Sequence, residues 1–253
     1  RNDVPIAGAT ASVYAVASAQ ASDAGSYRVR VGAAGLTELS SAAIVSVAAA
    51  PAGPAARLSN LSVRTSMAAA QTLIVGVVVN GGSRDLLVRA VGPALAAFGL
   101  GNAMADPRLE LYNGSVQVLA NDNWSAALAP TFASVGAFGL PDGSRDAAFL
   151  QPIERDRSIW ALGTGPGVVL VEAYDTGGTA GARLVNMSAR NLVGTGDDIL
   201  IVGFNVSGTG SKQLLIRAVG PRLGGFGVSG FLADPKLEIY RGDTKVAEND
   251  NWS

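Results

Sequence analysis

The sequence predicts an all-β protein built from tandem β-sandwiches, and two observations support that fold class. Short runs rich in Val, Ile and Leu recur about every ten residues and are bounded by Gly, Pro, Asn and Asp, a pattern typical of strands joined by turns. The second observation is an internal repeat, which predicts that one structural unit occurs more than once in the chain.

The repeat is visible as five segments that return in the same order. The first pair begins at Arg57 and Arg183, which are 183 − 57 = 126 residues apart, and the last pair is 249 − 121 = 128 residues apart. Two single-residue insertions therefore separate the copies, in a loop-like stretch rich in Gly, Ser and Ala. The paired segments are RLSNLSVR and RLVNMSAR, LIVG twice, LLVRAVGP and LLIRAVGP, ADPRLELY and ADPKLEIY, and NDNWS twice.

These repeats set the expected domain organisation. We expect residues 57–176 to form a complete β-sandwich repeat and residues 183–253 to form the N-terminal part of a second copy. Eight strands in one copy suit a jelly-roll-like unit with two packed sheets, and Ala126–Val135 is the only segment that reads as a short helix. The eight predicted strands are Leu58–Thr65, Thr72–Val79, Asp85–Val91, Arg108–Tyr112, Val116–Ala120, Ala147–Ile153, Ser158–Leu162 and Val168–Tyr174.

Composition excludes several classes of function. The chain contains no Cys and no His, so thiol nucleophiles, the usual imidazole base and the usual zinc ligands are all missing, and we expect no enzyme. Nineteen basic and twenty acidic residues give a net charge of −1 without a basic cluster, so nucleic acid is not an expected partner. The longest apolar run, TLIVGVVV, is far shorter than the ~20 residues of a membrane span.

Residues 1–50 resemble the C-terminal half of a bacterial immunoglobulin-like domain. The resemblance is carried by VPIAGAT, SVYAV, DAGSYRVRV and SSAAIVSV. It places Tyr27 at the tyrosine corner, where the hydroxyl bonds back to the main chain of the preceding turn. Val29 stands where many relatives carry their second cysteine, so the resemblance implies an apolar contact in place of a disulfide.

The segment from Arg57 to Ser253 resembles a repeat of large secreted proteins of environmental bacteria, which is often placed after immunoglobulin-like domains. The pattern LIVGF, LLIRAVGP, LADPKLEIY and AENDNWS carries this likeness. The second half of the repeat is also similar to the prepeptidase C-terminal modules of secreted proteases. The two resemblances imply an extracellular or cell-surface module of a bacterium, and the second adds calcium and matrix binding.

NDNWS offers a candidate calcium site. Oxygen atoms of its first three residues, together with carboxylates of the LPDGSRD loop, are the hard ligands that Ca²⁺ prefers. The alternative is a turn that ends a strand, in which Asn and Asp side chains bond to nearby main-chain amides and the tryptophan covers the core. The candidate ligands are Asn121, Asp122, Asn123, Asp142 and Asp146, and the tryptophans expected to be structural are Trp124 and Trp252.

Arg89 and its counterpart Arg217 lie within strands that are otherwise apolar. A guanidinium group in such a place is costly unless a carboxylate pairs with it, and Asp106 and Asp122 are the acids expected to do so. We therefore expect a structural ion pair, and an anion or glycan clamp is the alternative.

The function that these features favour is a non-catalytic structural or adhesive repeat protein outside the cell, within a larger surface layer or filament. The alternative is a carbohydrate-binding or protein-binding accessory module of a secreted hydrolase. Sugar-binding modules usually present a platform of exposed aromatic side chains, and only 6% of this chain is aromatic, which favours the structural function. We expect the partners to be further repeats or other copies of the same protein.

The chain is expected to begin halfway through one sandwich and to stop halfway through another. Half of a sandwich exposes an apolar face and unpaired strand edges, so we expect missing strands to come from further chain or from adjacent subunits. An arbitrary fragment is the competing explanation. The inward faces are expected to contain Tyr14, Val16, Tyr27, Val29, Val45 and Val47 at one end, and Leu200, Val202, Leu215, Val219, Leu237 and Ile239 at the other.

Overall fold

The computed structural model describes residues 1–16, 19–33, 36–47 and 55–251. The chain divides into two compact units, Arg1–Ala55 and Ala56–Ser253. Strands dominate both units, so the predicted all-β fold class is confirmed. No helix in the described part of the chain is long and apolar enough to cross a membrane.

The first unit contains two small antiparallel ladders. Tyr27 ends the first strand, and its hydroxyl donates a hydrogen bond of 2.7 Å to the main-chain carbonyl of Asp23, the contact that a tyrosine corner makes. In this unit the first strand pairs with the fourth, and the second pairs with the third. The elements are a 3-10 turn at Ala21–Asp23 and the strands β1 (Gly25–Tyr27), β2 (Arg30–Ala33), β3 (Leu36–Leu39) and β4 (Ala43–Val45).

The predicted inward face of the first unit is largely open. The side chains of Tyr14, Val16, Val29 and Val45 are exposed by 52, 42, 62 and 41% respectively. The ring centres of Tyr14 and Tyr27 lie 6.4 Å apart. The short ladders place no second apolar layer over these side chains in the described residues, and their cover by strands of further chain or of adjacent subunits stays a prediction.

The second unit contains the main sheet system. It begins with two long strands, and the connection from the second of them to the next strand includes the 3-10 helix Pro93–Phe98. The predicted helix is a 3-10 turn at Ala126–Leu128 followed by α1 (Ala129–Ser134). The strands are β5 (Arg57–Met67), β6 (Leu73–Val91), β7 (Pro107–Asn113), β8 (Val116–Asn121), β9 (Ala147–Gly163), β10 (Gly167–Gly178), β11 (Arg183–Arg190), β12 (Ile201–Ser207), β13 (Leu237–Arg241) and β14 (Thr244–Asn249).

Two pairs of predicted strands are each fused into one long strand. Thr72–Val79 and Asp85–Val91 are joined in β6, where Gly81 and Gly82 adopt positive φ angles of 84° and 135°. These conformations suit glycine, and they allow the register against β9 to shift between Val79 and Ser83. Strand β9 similarly fuses the two segments predicted on either side of Arg155.

The strands of residues 56–207 form one antiparallel network. Along it, β8 pairs with β7, β7 with β9, and β9 with β6. The C-terminal half of β6 pairs with β10, and β10 pairs with β5. The division of this network into two packed sheets stays a prediction.

Strands from the second sequence copy complete this network. Strand β11 pairs with the N-terminal half of β6, and β12 pairs with β5. Strands β13 and β14 instead form a separate hairpin. Hydrogen bonding therefore crosses the expected boundary between residues 57–176 and 183–253.

Strand β6 separates two apolar clusters. Its N-terminal half buries Leu73, Val75 and Val77 in alternation with half-buried residues, as the two-residue period of a strand requires. Its C-terminal half is buried on both faces. Leu86 belongs to one cluster and Leu87 to the other, so this part of β6 is the centre of the fold.

Candidate functional site

Arg89 on β6 is a fully buried charged group, with an exposed fraction of 0%. Its Nε and Nη2 atoms donate hydrogen bonds to Glu172 Oε2 at 3.0 and 2.5 Å. Its Nη1 atom donates to the main-chain carbonyl of Phe138 at 2.6 Å. The guanidinium group is thus held by protein acceptors, as expected of a structural ion pair.

The expected partners of Arg89 were wrong, because the carboxylate comes from β10. The antiparallel pairing of β10 with β6 places Glu172 directly opposite Arg89. Asp106 instead accepts a hydrogen bond of 3.3 Å from Arg145 near the surface, and Asp122 is exposed. Sequence spacing could not reveal this pair, because it depends on the register between two distant strands.

Three aromatic rings surround the ion pair. The Arg89 Cζ atom lies 4.5 and 4.8 Å from the ring centres of Phe138 and Phe132, within the range of cation–π attraction. The Tyr174 hydroxyl donates to Glu172 Oε1 at 2.7 Å. Burial raises the pKa of Tyr174 well above its usual range, and the nearby Glu172 charge adds to that effect. The phenol therefore stays protonated and serves as a fixed donor to Glu172.

Arg217, the counterpart of Arg89, is exposed. No strand is formed around it, since the regular structure between β12 and β13 consists of the 3-10 helix Pro221–Phe226. The structure therefore does not give the two arginines the same environment.

Asp146 is a fully buried carboxylate with protein donors on both oxygen atoms. Its Oδ1 accepts hydrogen bonds from the main-chain N–H groups of Gly92 and Ala94 at 2.7 and 3.4 Å. Its Oδ2 accepts from the Ser144 hydroxyl at 2.7 Å, and Trp124 Nε1 donates to that hydroxyl at 3.1 Å. Asp146 thus caps the start of the 3-10 helix that follows β6 and connects it to the NDNWS turn.

The other candidate calcium ligands do not converge into a group of carboxylates. Asn121 Oδ1 accepts from the Ala148 amide at 2.9 Å, and Asn121 Nδ2 donates to the Asn123 carbonyl at 3.0 Å. Asp122, Asn123 and Asp142 are exposed. The described residues contain no cluster of three or more His, Cys, Asp or Glu side chains that could hold a metal. These contacts fit the turn interpretation of NDNWS, and calcium binding stays a prediction.

Only one of the two NDNWS tryptophans, Trp124, lies in the described part of the chain. The Trp124 ring packs 5.6 Å from the ring of Phe132, between centres, and is half-buried at the edge of the second apolar cluster. Its expected structural role fits this position. Trp252 lies outside the described residues.

A polar cleft opens where β5, β10 and β12 meet the end of α1. Its volume is about 570 Å³. Asn60, Tyr174 and Asn205 contribute polar side chains to its wall. The wall of the cleft is polar and combines amide, phenol and hydroxyl groups.

An ion-pair cluster forms part of the wall of the cleft, where Arg57 and Asp175 line it. Asp175 Oδ1 accepts hydrogen bonds from Arg84, one of them from Nε at 2.8 Å. Asp175 Oδ2 lies 3.9 Å from Arg57 Nε, and both of these buried atoms lack a hydrogen-bond partner in the described structure. The cluster fixes the start of β5 against the end of β10.

Sequence reasoning missed Glu172 and Asp175 as structural residues. Both lie in the apolar run GVVLVEAYD, so a carboxylate inside a strand was the available signal. Such a carboxylate needs a cationic partner when it is buried.

Comparison with protein-family models, with curated proteins and with solved structures finds no match for this chain.

Proposed function

We propose that this protein is a non-catalytic structural repeat protein that acts outside a bacterial cell, as part of a larger surface layer or filament. The observation that carries the proposal is the pairing between sequence copies. Strand β11 of the second copy extends the sheet of the first copy along β6, and β12 does so along β5. Pairing of this kind binds consecutive repeats into one structural element, which suits a structural repeat protein.

Exposed apolar side chains in the second copy support the same function. Val202 and Phe204 on β12 are each 43% exposed, and Leu215 is 87% exposed. Leu214, Leu215, Leu237 and Ile239 also line an open groove of about 280 Å³. The counterparts of Leu214 and Leu215 in the first copy lie on β6, which pairs with β9 and β10, so strands of a further repeat or of another copy would fit this surface.

Sedimentation velocity over a range of protein concentrations tests this function. We expect the chain to associate as concentration rises, and Leu215→Lys to weaken association by about tenfold or more, equivalent to about 1.4 kcal/mol, because a charge would be placed in the contact. Val116→Lys is the matched control, since Val116 is 63% exposed in the first copy. A chain that stays monomeric at every concentration, or equal effects of the two variants, would contradict the proposal.

The polar cleft favours one second function, the binding of a carbohydrate. Sugar hydroxyls are recognised by amide and phenol groups such as those of Asn60, Asn205 and Tyr174. A glycan array followed by isothermal titration calorimetry with any hit tests this function. Asn205→Ala is expected to abolish the binding heat, while Asn113→Ala, outside the cleft lining, keeps it. Absence of binding to every glycan on the array would remove this function.

A further inference from the structure

The two ladders that join the sequence copies are equivalent to one another. Arg64 on β5 lies opposite Ile201 on β12, and Arg190 on β11 lies opposite Ile74 on β6. In the repeat, Arg190 is the counterpart of Arg64, and Ile201 is the counterpart of Ile74. Each copy therefore gives its second strand to the first strand of the other copy, in the same register.

The irregularities of the two ladders are equivalent as well. On the β5 side the pairing passes from Asn60 to Leu58 and skips Ser59. On the β11 side it passes from Asn186 to Leu184 and skips Val185, the repeat counterpart of Ser59 because 59 + 126 = 185. A bulge at the same repeat position in both ladders shows that they are two copies of one strand pair.

One further contact relates the copies by approximate two-fold symmetry. A single residue pair, Leu58 with Leu184, joins β5 directly to β11. Leu184 is the counterpart of Leu58, since 58 + 126 = 184. Pairing of a residue with its own counterpart is what an isologous two-fold contact produces.

The same register could also form within one copy. Arg64 opposite Ile74 would close a hairpin over nine residues, 65–73, and Arg190 opposite Ile201 would close one over ten residues, 191–200. Those hairpins would make the same strand contacts without a second repeat. Pairing between the copies is the exchanged arrangement, and pairing within each copy is the closed arrangement. The two differ mainly in the path of these two connections and in the contact between Leu58 and Leu184.

We infer that the two consecutive repeats of this chain are joined by reciprocal strand exchange, in which the second strand of each copy pairs with the first strand of the other. The partner that fits the free edges of β5 and of the N-terminal half of β6 is a sister repeat. The interlocked pair is then the unit that folds. Exchange of identical elements is a low-cost way to join two units, because both arrangements satisfy the same main-chain groups. The inference does not depend on the proposed function, since closed repeats could also serve a structural protein.

Engineered disulfides in the full chain distinguish the two arrangements. A Cβ atom at Gly76 would lie 4.0 Å from Ser188 Cβ, and a Cβ atom at Gly203 would lie 4.0 Å from Ser62 Cβ. These distances suit a disulfide, and the chain has no natural cysteine that could compete. The exchanged arrangement is probed by G76C/S188C and by S62C/G203C. The closed arrangement is probed by the matched variants S62C/G76C and S188C/G203C.

The readout is the yield of each intrachain disulfide after mild oxidation, measured by peptide mapping and non-reducing electrophoresis. We expect the two exchanged variants to exceed the two closed variants by about tenfold or more, because cysteines whose Cα atoms are over ~7 Å apart cannot be bridged without main-chain movement. Equal or higher yields in the closed variants would overturn the inference. Disulfides formed between two chains would also overturn it, since they would place the exchange between molecules.

A second set of variants avoids the glycine positions in case cysteine there prevents folding. R64C/I201C probes the exchanged arrangement at a pair whose members are both exposed, and R64C/I74C probes the closed arrangement. Circular dichroism of the reduced proteins checks that each variant is folded. The same ratio of yields supports exchange, and the reverse ratio overturns it.

Discussion

The two sequence copies share part of their local structure but differ in what surrounds it. Leu87 is fully buried in the first copy, while its counterpart Leu215 is 87% exposed. In contrast, both copies form a 3-10 helix that begins at the proline of RAVGP, at Pro93–Phe98 and Pro221–Phe226, and each helix ends at a glycine in the left-handed conformation. This turn therefore folds alike from nearly the same sequence, whereas strand formation in the preceding LLVRAV or LLIRAV segment and its burial depend on distant strands.

The strands that make the difference are β9 and β10. In the first copy β9 pairs with both β6 and β7, and β10 covers the C-terminal half of β6. Arg89 obtains its carboxylate from β10, and without such a strand Arg217 is exposed. The comparison teaches that a single apolar strand does not define a core until its partners are present.

The largest expected difference between the copies concerns their arginines. Arg89→Ala leaves the buried Glu172 carboxylate without its cationic partner, which typically costs about 3–5 kcal/mol. Arg217→Ala changes an exposed side chain and is expected to stay within about 0.5 kcal/mol. Denaturant unfolding of both variants measures the difference, and equal stabilities of Arg89→Ala and the unmodified chain would contradict the role of the ion pair.

A matched pair of leucines sharpens the same comparison. Leu87→Ala opens a cavity in a packed cluster and is expected to lower the free energy of unfolding by about 2–5 kcal/mol. Leu215→Ala removes only exposed surface from the isolated chain and is expected to change it by less than about 0.5 kcal/mol. Thermal unfolding at low protein concentration gives both values. A large loss in Leu215→Ala would show that this side chain is buried in solution.

Alkaline pH is expected to lower the free energy of unfolding through Tyr174, which lies beside Arg89. The pKa of Tyr174 is raised in the folded state by burial and by Glu172, so the folded chain holds the phenolic proton more tightly than the unfolded chain. This stabilisation is fully present below about pH 10, the pKa of an unperturbed tyrosine, and is lost as the pH rises above it. Ultraviolet titration of the unmodified chain and of Tyr174→Phe measures the effect. The unmodified chain is expected to show one tyrosine that ionises at higher pH than the others, and the titration of the variant is expected to lack that step.

The smallest expected effect lies in the exposed hairpin of the second copy. Hydrogen bonds from Lys236 and Tyr240 lower the pKa of Glu238 to about 2. A lowered pKa stabilises the folded hairpin above about pH 4.5, and this contribution is lost as the pH falls towards 2. Nuclear magnetic resonance titration of the Glu238 carboxyl group gives its midpoint directly. A midpoint near 4.5 would show that the hydrogen bonds do not persist in solution.

Much of the fold could be predicted from the sequence because strand signals are local. Runs of Val, Ile and Leu gave the position of nearly every strand in residues 57–178, and the repeat showed that two copies exist. The fusion of neighbouring strands into β6 and β9 could not be predicted in this way. Gly81 and Gly82 resemble a turn in sequence, and only the pairing with β9 shows that the strand continues.

The candidate site was less predictable because it depends on register. The need of Arg89 for a carboxylate follows from its apolar neighbours, yet the choice of Glu172 follows only from the alignment of β10 against β6. Asp146 was chosen as a candidate ligand for its oxygen atoms. Its position beside the amide of Gly92, which makes it a cap, requires the tertiary structure.

The pairing of β5 with β12 has a mechanical consequence. Arg57 and Ser207 face one another at the same end of this antiparallel pair, and the amide of Ala56 bonds to the carbonyl of Thr209 just beyond them. Tension applied to the chain before Arg57 and after Ser207 would load that end first. The hydrogen bonds of the ladder would then break one after another rather than together. The junction between the repeats would therefore yield at a lower force than a ladder whose hydrogen bonds are all loaded at once.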